Sequence, residues 1–499
     1  MPHIRRLPFC ASSASGVRNS FTPEALEARR NQRREEVSGR TLIYSRRVRI
    51  YRKPAAFALA VFAAALCVRL LTWQETRLEV GKVQTVVTAG YRRDAGFLTQ
   101  GGLRSLFSRT SPLANPDSLG HPPGYPLLLA ALAKTVGDAD ARVQLFQIVC
   151  DAVACVLLLL VVAELLNLST ALAAGLLAAL SPQLAWNSVL LLPDSLAALP
   201  LLCAIYCLAR ALRRPGVALM IAAGALVGIS CWLRANALLL APFLAAFVLI
   251  FFDRAKRLRL AASLVAGALA VVGVLTLRNA VVFRHFVPAS LGAGQTLLEG
   301  IGDYDTAGRF GVPQTDDEIM REEARAAGRP DYAQTLLGPD GIARERLRLR
   351  RGFAVIRAHP FWFASVMLQR AASMLRMERA RRVSFATDDD DTPGASKPSR
   401  WSDLPRIVVA LPQRLFITAL VLPLVLGGVF LLARGRESRR ALAVLCAVPA
   451  YYFCVQSIFH TEYRYTLAAD YFYFALAAVP LALLAPKLSR RLSRSPATP

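Results

Sequence analysis

Acid is scarce in this chain: 34 Asp and Glu stand against 60 Lys and Arg, with only five His. No HExxH, GxxxxGK or GxSxG occurs, which leaves zinc-protease, P-loop and serine-hydrolase chemistry without a motif. Of nine Cys, eight (Cys67, Cys150, Cys155, Cys203, Cys207, Cys231, Cys446, Cys454) lie inside apolar runs, where a thiol behaves as a small buried hydrophobe. Only Cys10 lies outside them, so the polar loops hold no disulfide framework and no CxxC, and cysteine usage names no compartment.

What is abundant is apolar. The chain is 55% hydrophobic with a mean hydropathy of +0.39, too apolar for an ordinary soluble enzyme. A net charge of +26 would suit nucleic acid if it lay on one polar domain. Here the cations fall in short clusters between apolar runs, the pattern of topology signals, and no nucleic-acid partner is expected. Residues 1–53 carry thirteen Lys and Arg against four Glu and no apolar h-region, which reads as a basic cytoplasmic tail rather than a cleaved signal peptide.

The hydropathy pattern predicts an all-α polytopic membrane protein of about ten transmembrane helices. They fall near 54–73, 143–164, 169–186, 189–209, 216–233, 236–252, 259–278, 406–433, 441–459 and 467–486. The short loops "RALRRPG", "DRAKRLR" and "RGRESRR" and the tail "KLSRRLSRS" are basic and go inside; "WNS" and "HTEYRY" go outside. This divides the chain into the tail 1–53, an N-terminal transmembrane module 54–278 with a first external loop 74–142, an external region 279–404, C-terminal helices 405–487 and a cytoplasmic tail 488–499. The run "HPPGYPLLLAALAKTVG" is too short to span and reads as an interfacial or re-entrant helix. Residues 341–375, basic then aromatic and broken by Pro360, read as an interfacial amphipathic pair.

Ionisable groups at membrane depth are costly, so their placement is informative. This topology gathers Asp94, Asp194, Arg69, Arg234, Arg278, His460, Glu462 and Arg464 at the external rim. Singly, each has a plain reading: Asp94 as a loop acid paired with Arg92 or Arg93, Asp194 as a first-turn acid, the arginines as snorkelling side chains, and Tyr463 and Tyr465 as an aromatic belt. Their shared side points further. Guanidinium forks grip phosphate, and a carboxylate beside them can take a proton from an incoming hydroxyl. That combination suits attack of an alcohol on a lipid-linked phosphate ester. By contrast, "DAD" at 138–140, "DYD" at 303–305 and "DDDD" at 388–391 are weak as metal sites, the last reading as a disordered acidic loop.

A series of stretches resembles a known family: "RDAGFLTQGGL", "GHPPGYPLLLAAL", "LLPDSLAALPLLCAIY", "LRANALLLAPFLAAF", "RNAVVFRHFVPASLGAG", "IRAHPFWF" and "HTEYRYTLAADYFYFALAA". In this order they are similar to integral-membrane glycosyltransferases of the GT-C fold, namely the bacterial relatives of protein O-mannosyltransferases and of lipid A aminoarabinose transferases. The resemblance implies a polyprenyl-phosphate sugar donor, a hydroxyl acceptor on an external glycan, lipid (lipopolysaccharide included) or protein, inversion at the anomeric carbon, and Asp94 as general base. It further implies a shaping role for Asp194 and a donor-binding set of Arg234, Arg278, Arg464, His121, Tyr125, His460, Glu462 and Tyr463. The implied place is the bacterial inner membrane, working on its periplasmic face, and whether the sugar is a hexose or a pentose stays open. No cofactor is expected, and no divalent metal is indicated. Where many members carry a second acid and then a Tyr after the first-loop Asp, this chain has Ala95 and Phe97, and His121 stands where the aminoarabinose transferases have Lys. The rival classes are a lipid-linked sugar flippase, and a glycan polymerase or ligase using diphosphate-linked donors.

Overall fold

The computed structural model describes residues 55–76, 85–375, 419–435 and 438–492. Residues 58–499 form one compact unit, and of residues 1–57 only the opening turn of the first helix is described. The basic tail 1–53, the "DDDD" tract and the first part of the helix expected at 406–433 lie outside the described residues. Every described element is helical.

Among the described residues, six helices are long and apolar enough to cross a membrane: α1 (Ala55–Thr76), α4 (Asp140–Leu165), α7 (Asp194–Arg213), α10 (Arg257–Phe283), α16 (Ser438–Val455, running on as a span to Ile458) and α17 (Leu467–Leu492, with its span beginning at Tyr463). The bent pair α5 (Leu168–Leu180) and α6 (Pro182–Val189) is long and apolar enough for a seventh when counted as one broken span. Three shorter apolar helices, α8 (Val217–Leu233), α9 (Leu240–Phe251) and α15 (Val421–Arg434), fall where three further spans were expected; the described residues hold six or seven crossings by length.

Local chemistry explains the breaks. The sequence predicts one helix over 169–186, yet Ser181 ends α5 and caps α6 by accepting from the Leu184 N–H at 3.3 Å, with Pro182 in the first helical position, and the axis turns by 53°. Likewise α7 starts after Pro193, five residues later than predicted, with Asp194 in its first turn and Arg210 and Arg213 in its last, each complementing the helix dipole.

Two contacts stand out within the bundle. Helices α8 and α10 approach until backbone meets backbone: a Cβ on Gly224 would stand 1.9 Å from the Leu264 carbonyl oxygen, and one on Gly267 would stand 2.2 Å from that of Ile221. Arg69, expected at the rim, is instead fully buried. It donates to Asp151 at 2.5 Å and to the carbonyls of Ala65 and Ala179, while Tyr471 donates to the other Asp151 oxygen at 2.5 Å. The guanidinium ties α1, α4, α5 and α17 together, because a buried charge persists only when paired and hydrogen-bonded.

The first loop is more ordered than its sequence suggests. It forms α2 (Thr85–Gly101) and α3 (Gly124–Thr135), and α2 ends where Gly102 takes a φ of 65° and donates its N–H to the Leu98 carbonyl. Residues 284–375 build α11 (Ala293–Gly302), α12 (Asp316–Ala327), α13 (Gly341–Ala358) and α14 (Pro360–Met374) over a small core of Leu297, Leu298, Ile301, Ile319 and Phe363. Arg344 and Arg348 close it by reaching Glu323 at 2.7 and 2.6 Å. The interruption expected at Pro360 separates α13 from α14, and α14 leaves Phe361 89% exposed.

Candidate active site

Helix α2 carries Asp94 with its side chain 14% exposed. One carboxylate oxygen accepts from Arg93 Nε at 3.2 Å and from Ser118 Oγ at 3.4 Å. Burial lifts the carboxyl above its ordinary range, against the opposing pull of Arg93, Ser118 and Arg278. Ser118 is delivered by the short turn Pro116–Leu119, whose cap Asn115 accepts from the Asp117 N–H.

Arg278 underpins this loop. Its Nε donates to the Leu106 carbonyl and an Nη to that of Leu113, both at 3.0 Å, while the other Nη donates to Asn279. Asn279 in turn donates to the carbonyls of Val287 and Ala289. A guanidinium so committed fixes the segment beneath Asp94 and has little left for a ligand; the structure uses Arg278 as a clamp.

A second cluster lies one turn back along α2. Tyr91 is 2% exposed, and its hydroxyl sits beside the Arg234 guanidinium, near Asp194 and Arg464. Arg234, in the break after α8, pairs with Asp194 at the head of α7 at 3.3 Å. Arg464 pairs with Glu462 at 2.6 Å. Both guanidiniums rest on the Tyr465 ring, at 4.7 and 5.2 Å from its centre. Asn236 secures that tyrosine by donating to its carbonyl at 2.8 Å. A small cavity of about 10 Å³ lies here, lined by Asp194, Arg234, Asn236, Tyr452, Arg464 and Tyr465 among others.

Unmet polar atoms lie at and beside this cavity. The Tyr91 hydroxyl, one Asp194 oxygen, the Ser195 hydroxyl and an Arg464 Nη are buried without a hydrogen-bond partner among the described residues. Each such group costs roughly 1–3 kcal/mol when left unpaired, so their concentration at one place marks a site shaped for something else to complete.

The remaining predicted residues divide. Glu462 accepts from Arg464 and from the Tyr465 hydroxyl; burial would raise its carboxyl, but Arg464 and these hydrogen bonds outweigh it and hold the carboxyl below its usual range. His121 is exposed and packs its ring 4.9 Å from that of Tyr91. Tyr125 is fully buried and donates to Gln147 at 2.7 Å, which makes it core rather than cavity wall. His460 places its Nδ1 2.7 Å from Asp303 on α11's C-terminal flank, and Tyr463 meets Trp186 of α6. Thus Asp194, Arg234, Glu462 and Arg464 converge, while Asp94 belongs to the adjoining Ser118–Arg278 cluster and connects to them through Tyr91, three residues earlier on the same helix face. Sequence reasoning missed Tyr91, Ser118, Asn236 and Tyr452; only the i, i+3 spacing of Tyr91 and Asp94 carried a signal.

With this geometry, comparison with known proteins is informative. The family model for dolichyl-phosphate-mannose-protein mannosyltransferases matches residues 120–277, a stretch that includes His121, Asp194 and Arg234. No curated protein matches the sequence. The oligosaccharyltransferase of Archaeoglobus fulgidus in its apo form superposes with a TM-score of 0.50 at 14% identity, over 89% of this chain and 52% of that one. Its complex with Zn and sulfate gives 0.50 at 14% identity over 88% and 50%. ArnT from Cupriavidus metallidurans gives a TM-score of 0.32 at 15% identity, over 79% of this chain and 72% of that one. The chain therefore spans about half the length of the oligosaccharyltransferase it matches, and shares with it the helical GT-C membrane fold expected from the sequence.

Proposed function

We propose that this protein is a membrane glycosyltransferase that moves a sugar from a polyprenyl-phosphate donor to a hydroxyl of a glycan, lipid or protein on the periplasmic face of a bacterial inner membrane. The observation that carries the reading is that one helix bears both the part-buried carboxylate of Asp94 and, three residues earlier, Tyr91, whose hydroxyl lies beside Arg234 and near Arg464 and Asp194, where unmet hydrogen-bonding groups collect. The donor phosphate sits against Arg464 and Arg234, with Asp194 orienting Arg234. The acceptor oxygen attacks the anomeric carbon from the face opposite the phosphate, the bond from carbon to phosphate oxygen breaks with inversion, and the acceptor proton passes to Asp94. Burial, which lifts the Asp94 carboxyl above its ordinary range, makes it a better proton acceptor than an exposed aspartate. Developing charge on the leaving phosphate is met by the guanidiniums, fixed in place before the reaction. Orientation follows from charge: the basic turns 210–214 and 254–259 cap the opposite ends of the helices whose other ends build the site.

The test is mass spectrometry of envelope lipids and glycans from cells lacking the gene, complemented with wild type or Asp94→Asn. The expected result is one sugar lost and restored by wild type alone. A sugar restored equally by Asp94→Asn contradicts the catalytic assignment, and an unchanged glycan inventory contradicts the transferase reading.

A further inference from the structure

Tyr91 belongs neither to the catalytic nor to the donor-binding residues assigned so far. Its ring is locked, 5.0 Å edge-on from Tyr125 and 4.9 Å from His121, within a cluster of Val189, Leu190, Leu192 and Leu196. That packing explains the ring and leaves the hydroxyl unexplained, since a phenylalanine would fill the same space without burying a polar atom. The hydroxyl lies against the Arg234 guanidinium, close to Asp194 and Arg464, and its own O–H has no acceptor among the described residues. Arg464 and Asp194, which line the adjoining cavity, carry an unmet Nη and an unmet carboxylate oxygen. One occupant that accepts hydrogen bonds and carries negative charge would satisfy the tyrosine and both guanidiniums together.

Resting on the reading of the site as a phosphate-binding one, we infer that Tyr91 is a further donor-binding residue, whose hydroxyl donates to a phosphate oxygen of a polyprenyl monophosphate held by Arg234 and Arg464. The phenol is suited to donate: burial pushes it up to about 12, so it stays protonated throughout the working range. Because α2 carries both Tyr91 and Asp94, a phosphate bound in this way also sets the distance from the sugar to the carboxylate.

The test uses the full-length protein in detergent, with farnesyl phosphate as probe and farnesol as its uncharged control, comparing wild type, Tyr91→Phe and Arg234→Gln by titration calorimetry. Tyr91→Phe should weaken farnesyl phosphate binding about tenfold or more, the worth of one hydrogen bond to a charged group, and leave farnesol binding unchanged. The ligand-free Tyr91→Phe protein should melt at or above the wild-type temperature, because an unpaired buried hydroxyl has been removed. Wild-type affinity in Tyr91→Phe, alongside weakened binding by Arg234→Gln, overturns this inference alone. A Tyr91→Phe protein that melts lower or fails to fold also overturns it, by showing that the hydroxyl holds the fold. No binding of farnesyl phosphate by wild type overturns the phosphate reading and this inference with it.

Discussion

At the scale of residues, the chemistry depends on carboxylates and guanidiniums taken partly out of water, and the predictions follow from that cost. Asp94 is lifted chiefly by burial, so its folded pKa exceeds its unfolded one. The folded state then binds the proton more readily, and ionised Asp94 weakens the fold at pH values above its folded pKa. Asp94→Asn should therefore abolish transfer while leaving thermal stability at neutral pH equal or slightly raised. The wild-type rate should fall on acidification at a pH above that of an ordinary aspartate, which a pH profile of transfer in membranes would read. The pair of Asp194 and Arg234 behaves oppositely. Arg234→Ala strands a buried carboxylate and should cost about 3–5 kcal/mol in an unfolding titration, and adding Asp194→Asn should recover part of that loss. Asp94, Asp194, Arg234 and Arg464 were legible because a charge inside an apolar chain demands a reason. Tyr91 was not, because an aromatic residue near a lipid boundary reads as a belt or as core, and only the packing shows its hydroxyl unpaired. Arg69 and Arg278 carried the same sequence signal as Arg234. What separates them is which carbonyls and carboxylates fold around each guanidinium, and that is a tertiary fact.

At the scale of elements, apolar runs announced most helices, and caps decided where they end. Periodicity could not show the bend at Ser181, since the apolar run continues through it, although a serine followed by proline is a helix-start signal in its own right. Nor did it show α2, which meets Tyr125 and His121 through the single ring of Tyr91. The contact of α8 with α10 has direct consequences for the site, because α8 ends one residue before Arg234 and α10 carries Arg278 near its end. Gly267→Ile places a branched side chain where the Ile221 carbonyl already stands. Overpacking of this kind usually costs about 1–3 kcal/mol. A lower melting temperature is expected together with a fall in transfer rate, despite the distance between residue 267 and the site in the chain. Normal activity and stability in Gly267→Ile would mean that the two helices do not meet here.

At the scale of the whole chain, residues 284–375 are fastened to the hairpin 456–462 that precedes Arg464. Arg370 donates to the carbonyls of Ser457 and Gly300, the His460 N–H donates to the Thr296 carbonyl at 2.7 Å, and the His460 ring meets Asp303. The Asp303 hydrogen bond raises the imidazole above its ordinary value, with burial and Arg370 opposing and Glu462 assisting. A raised histidine contributes stability that is fully present below its unfolded pKa and is lost as pH rises through the folded one. Hydrogen exchange in α11 should therefore quicken as pH rises through that window beyond the intrinsic base-catalysed increase, and His460→Gln should remove the excess. The central claim is that these separate stretches form one site for a lipid phosphate. It is tested most directly by a cryo-electron microscopy map of the full-length protein in lipid nanodiscs with a polyprenyl phosphate added. The predicted map shows phosphate density between Arg234 and Arg464, within hydrogen-bond reach of Tyr91 and on the same side of the bilayer as Asp94. Density that bypasses both arginines, or an Asp94 on the opposite side of the bilayer from the phosphate, would contradict it.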